Sequence, residues 1–227
     1  MSVASGLPTY RGEGGIWNGI DVDQFATAAV LRSNPAKVWG FFAEMRARVA
    51  KVAPSAVHLA LAQAEARLRP NQALTILTQN VDGLHGLAGS KDVVELHGSL
   101  RRSRCTKCDY ARDEDLASSP SECPKCPECS AEMRPDIVLF DEILSVSAES
   151  AAKQALRECG LYIAVGTSGG KASPASSFAR AADYGGARTI FVNLEPIDPP
   201  SRYFHEVYLG RAEVLLPQLL GIVNVAL

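Results

Sequence analysis

The sequence predicts an α/β protein built on a doubly wound parallel sheet, and three apolar runs carry that prediction. Residues 73–78 (Ala-Leu-Thr-Ile-Leu-Thr), 161–165 (Leu-Tyr-Ile-Ala-Val) and 188–194 (Arg-Thr-Ile-Phe-Val-Asn-Leu) are short and apolar, with β-branched members. None alternates polar with apolar, which is the pattern of strands covered on both faces. Around them lie helical stretches at 55–68, 146–158 and 174–184. Strand–helix alternation of this kind builds parallel sheets.

Taken in chain order, the elements divide into a sheet layer and two insertions. Residues 18–52 read as helical with no strand: Asp23-Gln-Phe-Ala-Thr, then Pro35 to Val52. The Ala- and Leu-rich helix at 55–68 leads into the first strand, which stops at polar Gln79-Asn80. Residues 101–136 are rich in Cys, Pro, Ser and charge and form the second insertion. After them the helix at 146–158, the strand at 161–165, the helix at 174–184 and the strand at 188–194 restore the alternation. The two insertions are expected to make a smaller domain beside the sheet. The expected division is 1–17, 53–100 and 137–227 for the sheet layer, 18–52 for a helical module and 101–136 for a cysteine module.

Composition bounds the function. With 23 basic and 25 acidic side chains, 47% hydrophobic and 21% charged residues, the chain belongs with soluble globular proteins rather than collagen-like or disordered ones. A net charge of −2 lacks the basic surplus of a dedicated nucleic-acid binder. No apolar run reaches the roughly 18–20 residues that cross a bilayer, and the opening Met1-Ser-Val-Ala-Ser-Gly-Leu-Pro has no signal-peptide pattern. A cytosolic protein is expected.

Ligands of parallel sheets sit beyond the carboxyl ends of the strands. All three runs end there in small or polar residues: Gln79-Asn80-Val81-Asp82, Gly166-Thr167-Ser168 and Asn193-Leu194-Glu195. Together they suggest a sugar–phosphate or nucleotide ligand.

Five of the six cysteines fall within residues 105–129. Cys105-x-x-Cys108 is followed after 17 residues by Cys126-x-x-Cys129, the spacing of a four-thiolate zinc site. Cys123 competes as a ligand, but pairing it with Cys126 leaves a spacer of only 14 residues. Four thiolates leave no coordination position for water, so the zinc would be structural. Arg101, Arg102, Arg104 and Lys107 beside it read as a solvated basic face, and Cys159 reads as a buried small hydrophobe.

Several motifs in order now point one way: Thr78-Gln-Asn-Val-Asp-Gly-Leu-His85, Leu96-His-Gly-Ser-Leu100, the paired Cys-x-x-Cys, Met133-Arg-Pro-Asp-Ile-Val138, Gly166-Thr-Ser168 and Asn193-Leu-Glu-Pro196. The sequence resembles a sirtuin, an NAD-dependent protein lysine deacylase, and is most similar to the bacterial branch related to the desuccinylating type. The resemblance runs from about Ser2 to the C-terminus. It implies a Rossmann-like large domain and a small domain of zinc and helical modules. NAD would lie between the domains, with acyl-lysine entering from the opposite side. The family's spacing from Cys129 to Arg134-Pro135 supports Cys126 and Cys129 as ligands over Cys123.

The resemblance also assigns roles. His97 would be the general base, with a side-chain type whose ordinary pKa near 6.5 suits the task, relaying a proton from the nicotinamide-ribose hydroxyls. Asn80 and Asp82 would hold nicotinamide and water, Gln79 the ribose, and Val81 belongs to the same cofactor-binding turn. Gly166, Thr167 and Ser168 would face the phosphates and adenosine ribose. Asn193, Leu194 and Glu195 would take the adenosine end, Ala212 would close over adenine, and Tyr10 and Arg11 would cover the cofactor. Phe42, Met45, Val138 and Phe140 would line the substrate side. The products would be nicotinamide, O-acyl-ADP-ribose and free lysine. Acyl-lysine proteins or peptides are the expected partners and a monomer the expected state, with no membrane or nucleic acid. His58 and His85 read as structural, and His205 as a surface residue.

The sequence departs from the family at four places. The family opens with a strand ending Gly-Ala-Gly-x-Ser, whereas this sequence aligns only from the final serine, Ser2. Either the start lies too far downstream, or the chain lacks that strand and its phosphate loop; the second case would favour a catalytically impaired protein that binds NAD, ADP-ribose or a peptide. The family's Phe-Gly-Glu is Phe140-Asp141-Glu142 here, and the spacer before Pro174-Ala175 is five residues instead of four. Phe42 and Met45 stand where the desuccinylating branch carries a Tyr-x-x-Arg pair, and Arg46 falls about 100° further around a helix. Neutral acyl groups are therefore expected over succinyl. An NAD-consuming ADP-ribosyl transferase or hydrolase and a zinc-ribbon nucleic-acid binder are the remaining readings.

Overall fold

Helix starts in the first insertion follow from capping side chains. The computed structural model describes residues 1–9, 15, 21–118, 120, 122–167 and 174–222. Short 3-10 turns at Ser2–Ser5 and Val22–Gln24 precede α1 (Ala28–Ser33) and α2 (Pro35–Val49). Thr27 Oγ1 accepts the Val30 amide at 3.2 Å, and Asn34 Oδ1 accepts that of Lys37 at 3.1 Å. Each satisfies a donor that a first helical turn leaves without a partner. Pro35 at the head of α2 has no amide to satisfy.

The chain continues through α3 (Ala56–Ala66), β1 (Ile76–Thr78), α4 (Leu84–Leu87), β2 (Val93–Glu95), β3 (Gly98–Cys105), β4 (Ala111–Asp113) and β5 (Met133–Ile137). It ends with α5 (Val146–Glu158), β6 (Leu161–Val165), α6 (Pro174–Tyr184), β7 (Arg188–Asn193), β8 (Glu206–Leu209) and α7 (Ala212–Leu219). The helices expected at 146–158 and 174–184 and the strand at 161–165 form with those bounds. The run at 73–78 is a strand only from Ile76, because β2 offers three paired positions, Val93 to Glu95.

The parallel layer consists of two sheets, β1–β2 and β6–β7–β8. β7 explains the non-alternating run. Phe191 packs with Ala164, Ala175 and Ala179, while Ile190 and Val192, pointing the other way, are also buried. Both sheets point in one direction, since their carboxyl ends meet at the same place. Asn80, just beyond β1, donates to Ser2 Oγ at 2.8 Å, and a Cβ at Gly166, just beyond β6, would lie 3.2 Å from the Met1 nitrogen.

The two insertions pack on each other. Antiparallel β4–β3–β5 form the cysteine-bearing sheet. Trp39 of α2 is fully buried among Cys105, Cys126, Ala131 and Met133 and donates its indole N–H to the Pro120 carbonyl at 2.7 Å. Arg46 lies over the Trp39 ring and donates to the carbonyls of Leu100 and Arg102 and to Ser103 Oγ, all on β3. Burying a guanidinium costs several kcal/mol unless its donors are paired, so these bonds fix how α2 meets β3. Met45 lines a large cavity, and Arg46 is not among its lining residues.

Candidate active site and metal centre

His97 is set by the strand crossing beneath it. Its neighbours hydrogen-bond on both sides: Leu96 donates to the Thr78 carbonyl and Val138 donates to the His97 carbonyl, each at 2.9 Å. His97 Nδ1 lies 3.0 Å from the Gln79 carbonyl. A carbonyl only accepts, so Nδ1 carries the proton and Nε2 keeps its lone pair. The half-buried ring lines a cavity of about 2580 Å3 that runs along β1 and β6 and takes in the residues just beyond the carboxyl ends of β1, β6 and β7.

Gly98 makes this placement possible. Its φ is +75°, and a Cβ there would stand 2.1 Å from the Asp136 carbonyl oxygen, a backbone atom on the paired strand that has no room to move. Gly98→Ala is expected to destabilise the fold by about 3 kcal/mol. Urea unfolding would measure the loss, and an unchanged midpoint would contradict this packing.

Asn80 and Asp82 are tied together by Ser2. Ser2 Oγ accepts from Asn80 Nδ2 at 2.8 Å and donates to Asp82 Oδ2 at 2.6 Å. Asp82 Oδ1 accepts the Leu84 amide at 2.9 Å, and Arg101 Nε donates to the Asp82 carbonyl at 3.0 Å. The turn holding both polar side chains is thereby fixed at each end. Ser2 and Arg101 are contributors that sequence reading did not assign to the site: a serine and an arginine carry no signal of their partners.

The remaining expected residues divide cleanly. Gln79, Asn80, Val81, Asp82, His97, Gly166, Thr167, Asn193, Leu194 and Glu195 line the one cavity, as do Phe42, Met45, Val138 and Phe140 on the substrate side. Ala212 does not: it is the first residue of α7 and stands outside that lining. Tyr10, Arg11, Ser168 and the spacer at 169–173 lie outside the described residues. Phe42 and Met45 are 3% and 7% exposed and share a hydrophobic cluster with Val49, Ile137 and Leu139. Asp141, the carboxylate in place of a glycine, accepts the Ala28 and Ala29 amides at 2.5 and 3.2 Å and so caps α1. Glu142 forms a two-bond pair with Arg134, at 2.6 and 2.8 Å. The arginine beside it, in turn, holds the Glu142 carboxyl below its ordinary range against the opposing effect of burial. These two contacts anchor the Phe140 loop to both insertions.

Behind the site, His58 and His85 form a buried ring pair with centroids 4.8 Å apart. His58 Nδ1 accepts the Ser55 amide at 3.1 Å, while its Nε2 and both His85 nitrogens have no hydrogen-bond partner among the described residues. Burial, then the neighbouring His85, pushes the His58 pKa down to about 3; burial also lowers that of His85. Both folded values lie below the ordinary histidine value, so the unfolded chain binds more protons below about pH 6.5. Stability is expected to be full above that pH and to fall as pH drops, by up to about 1.4 kcal/mol per pH unit for each ring. Denaturant melts at pH 7 and pH 5 on wild type and His58→Gln would show it; identical slopes would refute it.

The four sulfur atoms of Cys105, Cys108, Cys126 and Cys129 lie within 4.8 Å of one another. Cys105–Cys129 is 3.4 Å and Cys108–Cys126 is 3.6 Å, close to the about 3.8 Å edge of a tetrahedron with 2.3 Å Zn–S bonds. The backbone amides of Lys107 and Cys108 donate to Cys105 Sγ at 3.3 and 3.4 Å, which favours thiolate. Cys123 is not in the group: its thiol donates to the Met133 carbonyl at 3.1 Å. The residues fit a closed, structural zinc site.

A parallel α/β layer with a large cavity into which Asn80, Asp82 and His97 project, flanked by a four-cysteine metal module, defines a nucleotide-binding class of protein with a zinc-stabilised small domain. The sequence profile of the Sir2 family matches residues 1–173. The chain belongs to the Sir2 family. An NAD-dependent protein deacylase of Aquifex aeolicus (strain VF5) is 40% identical over 195 residues, covering 86% of this chain and 80% of that protein. A crystal structure of a Sir2 homolog–NAD complex superposes with a TM-score of 0.86 at 31% identity, covering 97% of this chain and 84% of the other. A Sir2 mutant solved with a deacetylated p53 peptide and 3′-O-acetyl ADP-ribose gives 0.80 at 27% identity, covering 97% and 88%.

Proposed function

We propose that this chain is an NAD-dependent protein lysine deacylase that yields nicotinamide, O-acyl-ADP-ribose and free lysine. The observation that carries the reading is His97, with Nδ1 committed to the Gln79 carbonyl and Nε2 open to the cavity. The deacylases among its relatives, and the NAD, ADP-ribose and peptide complexes among similar structures, support it.

The lining suits NAD. Gly166 keeps the backbone bare after β6, at φ +62°, and Asn80, Asp82, Asn193 and Glu195 offer amides and carboxylates to hydroxyls and a carboxamide. When bound, NAD supplies the ribose carbon that takes the acyl oxygen as nicotinamide departs. The chain's own part is positional and protonic. The Gln79 carbonyl holds the imidazole, and His97 Nε2 takes a proton from a ribose hydroxyl. The Asn80–Ser2–Asp82 chain keeps the neighbouring polar groups oriented without large reorganisation. Gln79, Val81, Gly166, Thr167, Asn193, Leu194 and Glu195 hold the cofactor in this reading. The four cysteines hold zinc and take no part in the chemistry.

Residues 1–17, 53–100 and 137–227 serve as the cofactor layer, 18–52 as the helical module and 101–136 as the zinc module. The chain works as a cytoplasmic monomer on acyl-lysine proteins, and among the described residues no helix is long and apolar enough to cross a membrane. Mass spectrometry of a reaction with NAD and acetyl-lysine peptide tests the reading. Equal amounts of nicotinamide and deacetylated peptide are expected, whereas nicotinamide with intact peptide would indicate an NAD hydrolase.

The acyl wall is apolar at Phe42, Met45, Val49 and Leu139, and Arg46 is spent on β3. With neither a phenol nor a guanidinium at positions 42 and 45, a succinyl carboxylate loses a charge-assisted bond of about 1.5–3 kcal/mol at that wall. The kcat/KM for acetyl-lysine is expected to exceed that for succinyl-lysine by about tenfold or more. Arg48, exposed one turn beyond Met45 and lining the same cavity, is the control: Arg48→Ala should leave the preference in place. A ratio favouring succinyl would contradict the assignment.

A further inference from the structure

We propose that Asp141 is a positioning residue for acyl-lysine: its carboxylate latches the turn that presents Phe140 to the cavity onto the start of α1. The proposal rests on the deacylase reading and adds a residue that the reading does not use. Leu139 to Glu142 form a closed turn. Glu142 donates its amide to the Leu139 carbonyl at 3.0 Å, and its carboxylate accepts the Leu139 amide at 2.9 Å. Phe140 stands within that turn, 48% exposed, and lines the cavity together with Ala26, Phe42 and Met45. A half-exposed ring has fewer packing neighbours to hold it than a core ring, so the backbone that carries it matters more.

That backbone is tied to the helical insertion by three bonds. The Phe140 amide donates to the Ala26 carbonyl at 2.9 Å, and Asp141 accepts the Ala28 and Ala29 amides at 2.5 and 3.2 Å. The Ala28 amide holds the Asp141 carboxyl below its ordinary range, so the acceptor is ionised at neutral pH. Charge-assisted bonds of this kind are among the stronger ones, and they lie at the positive end of α1. Ala26 is 1% exposed and itself lines the cavity, so latch and wall are neighbours in the chain. The cofactor side is held otherwise. Ser2 and Arg101 fix Asn80 and Asp82, and backbone bonds to Val192 and Gly210 fix Gly166 and Asn193. The latch therefore acts on the peptide. A wall set in place before the peptide arrives lowers the cost of binding, and contacts made equally in ground and transition states appear in KM rather than kcat.

In the full-length, zinc-loaded protein, Asp141→Ala is expected to raise the KM for an acetyl-lysine peptide at least about fivefold, with kcat and the KM for NAD within about twofold of wild type. Asp141→Asn keeps an amide oxygen for one N–H and should raise the peptide KM by about twofold, so the test stands even where the alanine variant does not fold. Thr27→Val removes the side-chain acceptor of the Val30 amide in the same helical turn and should leave the peptide KM unchanged. Hydrogen exchange reads the latch without turnover: segments 26–30 and 138–142 should exchange at least about fivefold faster in Asp141→Ala. An unchanged peptide KM in both Asp141 variants, an equal rise in Thr27→Val, or unchanged exchange would each overturn the latch and leave the deacylase reading intact. A wild type that does not consume NAD with the peptide would overturn that reading and the proposal with it.

Discussion

His97→Ala is expected to lower peptide-dependent turnover by about 10²- to 10⁴-fold, the range that a positioned general base supplies. The fold should survive, because the ring is half-buried and bonds to the Gln79 carbonyl. Circular dichroism and Tm should therefore match wild type while single-turnover deacylation collapses. His97→Gln offers an amide N–H to the same carbonyl and no base, so it should be equally inactive. If His97→Gln retained activity, the ring would be acting as a hydrogen-bonding prop rather than a proton acceptor.

The second large effect belongs to the metal. Cys126→Ser, or a strong chelator, is expected to unfold the β4–β3–β5 sheet and lower Tm by about 10 °C or more, because the binding energy of structural zinc is folding energy. The damage should spread to the acyl side. Trp39 packs on Cys105 and Cys126, and Arg46 of the same helix holds three β3 acceptors, so α2 would lose its seat along with Phe42 and Met45. Cys123→Ser is the internal control, since that thiol bonds to the Met133 carbonyl outside the cluster. One equivalent of zinc should remain bound in the Cys123 variant and be lost in the Cys126 variant. Equal zinc content in both would contradict the ligand set.

Much of this was legible in the sequence where a single physical pattern decides. Residues 188–193 lack alternation because β7 is buried on both faces from Thr189 to Val192, and the cysteine spacing survives folding because two tight loops fix it locally. The motif series around Asn80, Asp82 and His97 names residues that the fold brings to one cavity. Other features depended on partners far along the chain. Helical periodicity could turn Arg46 away from Met45, but not reveal the β3 carbonyls that receive it. Asp141 read only as a carboxylate in a glycine's place; its function as the α1 cap needs Ala28 and Ala29, more than a hundred residues earlier. The strands β2 and β8, of three and four residues, are too short to show a pattern. Ala212 came from the resemblance alone, and it is not among the residues that line the cavity.

The measurement that bears most directly on the central claim is nicotinamide release by purified 1–227 in the presence of NAD, with and without an acetyl-lysine peptide. Release that requires the peptide, and disappears in His97→Ala, is the predicted result. Release that proceeds equally without peptide, or that persists in His97→Ala, would contradict the assignment of this cavity to protein deacylation.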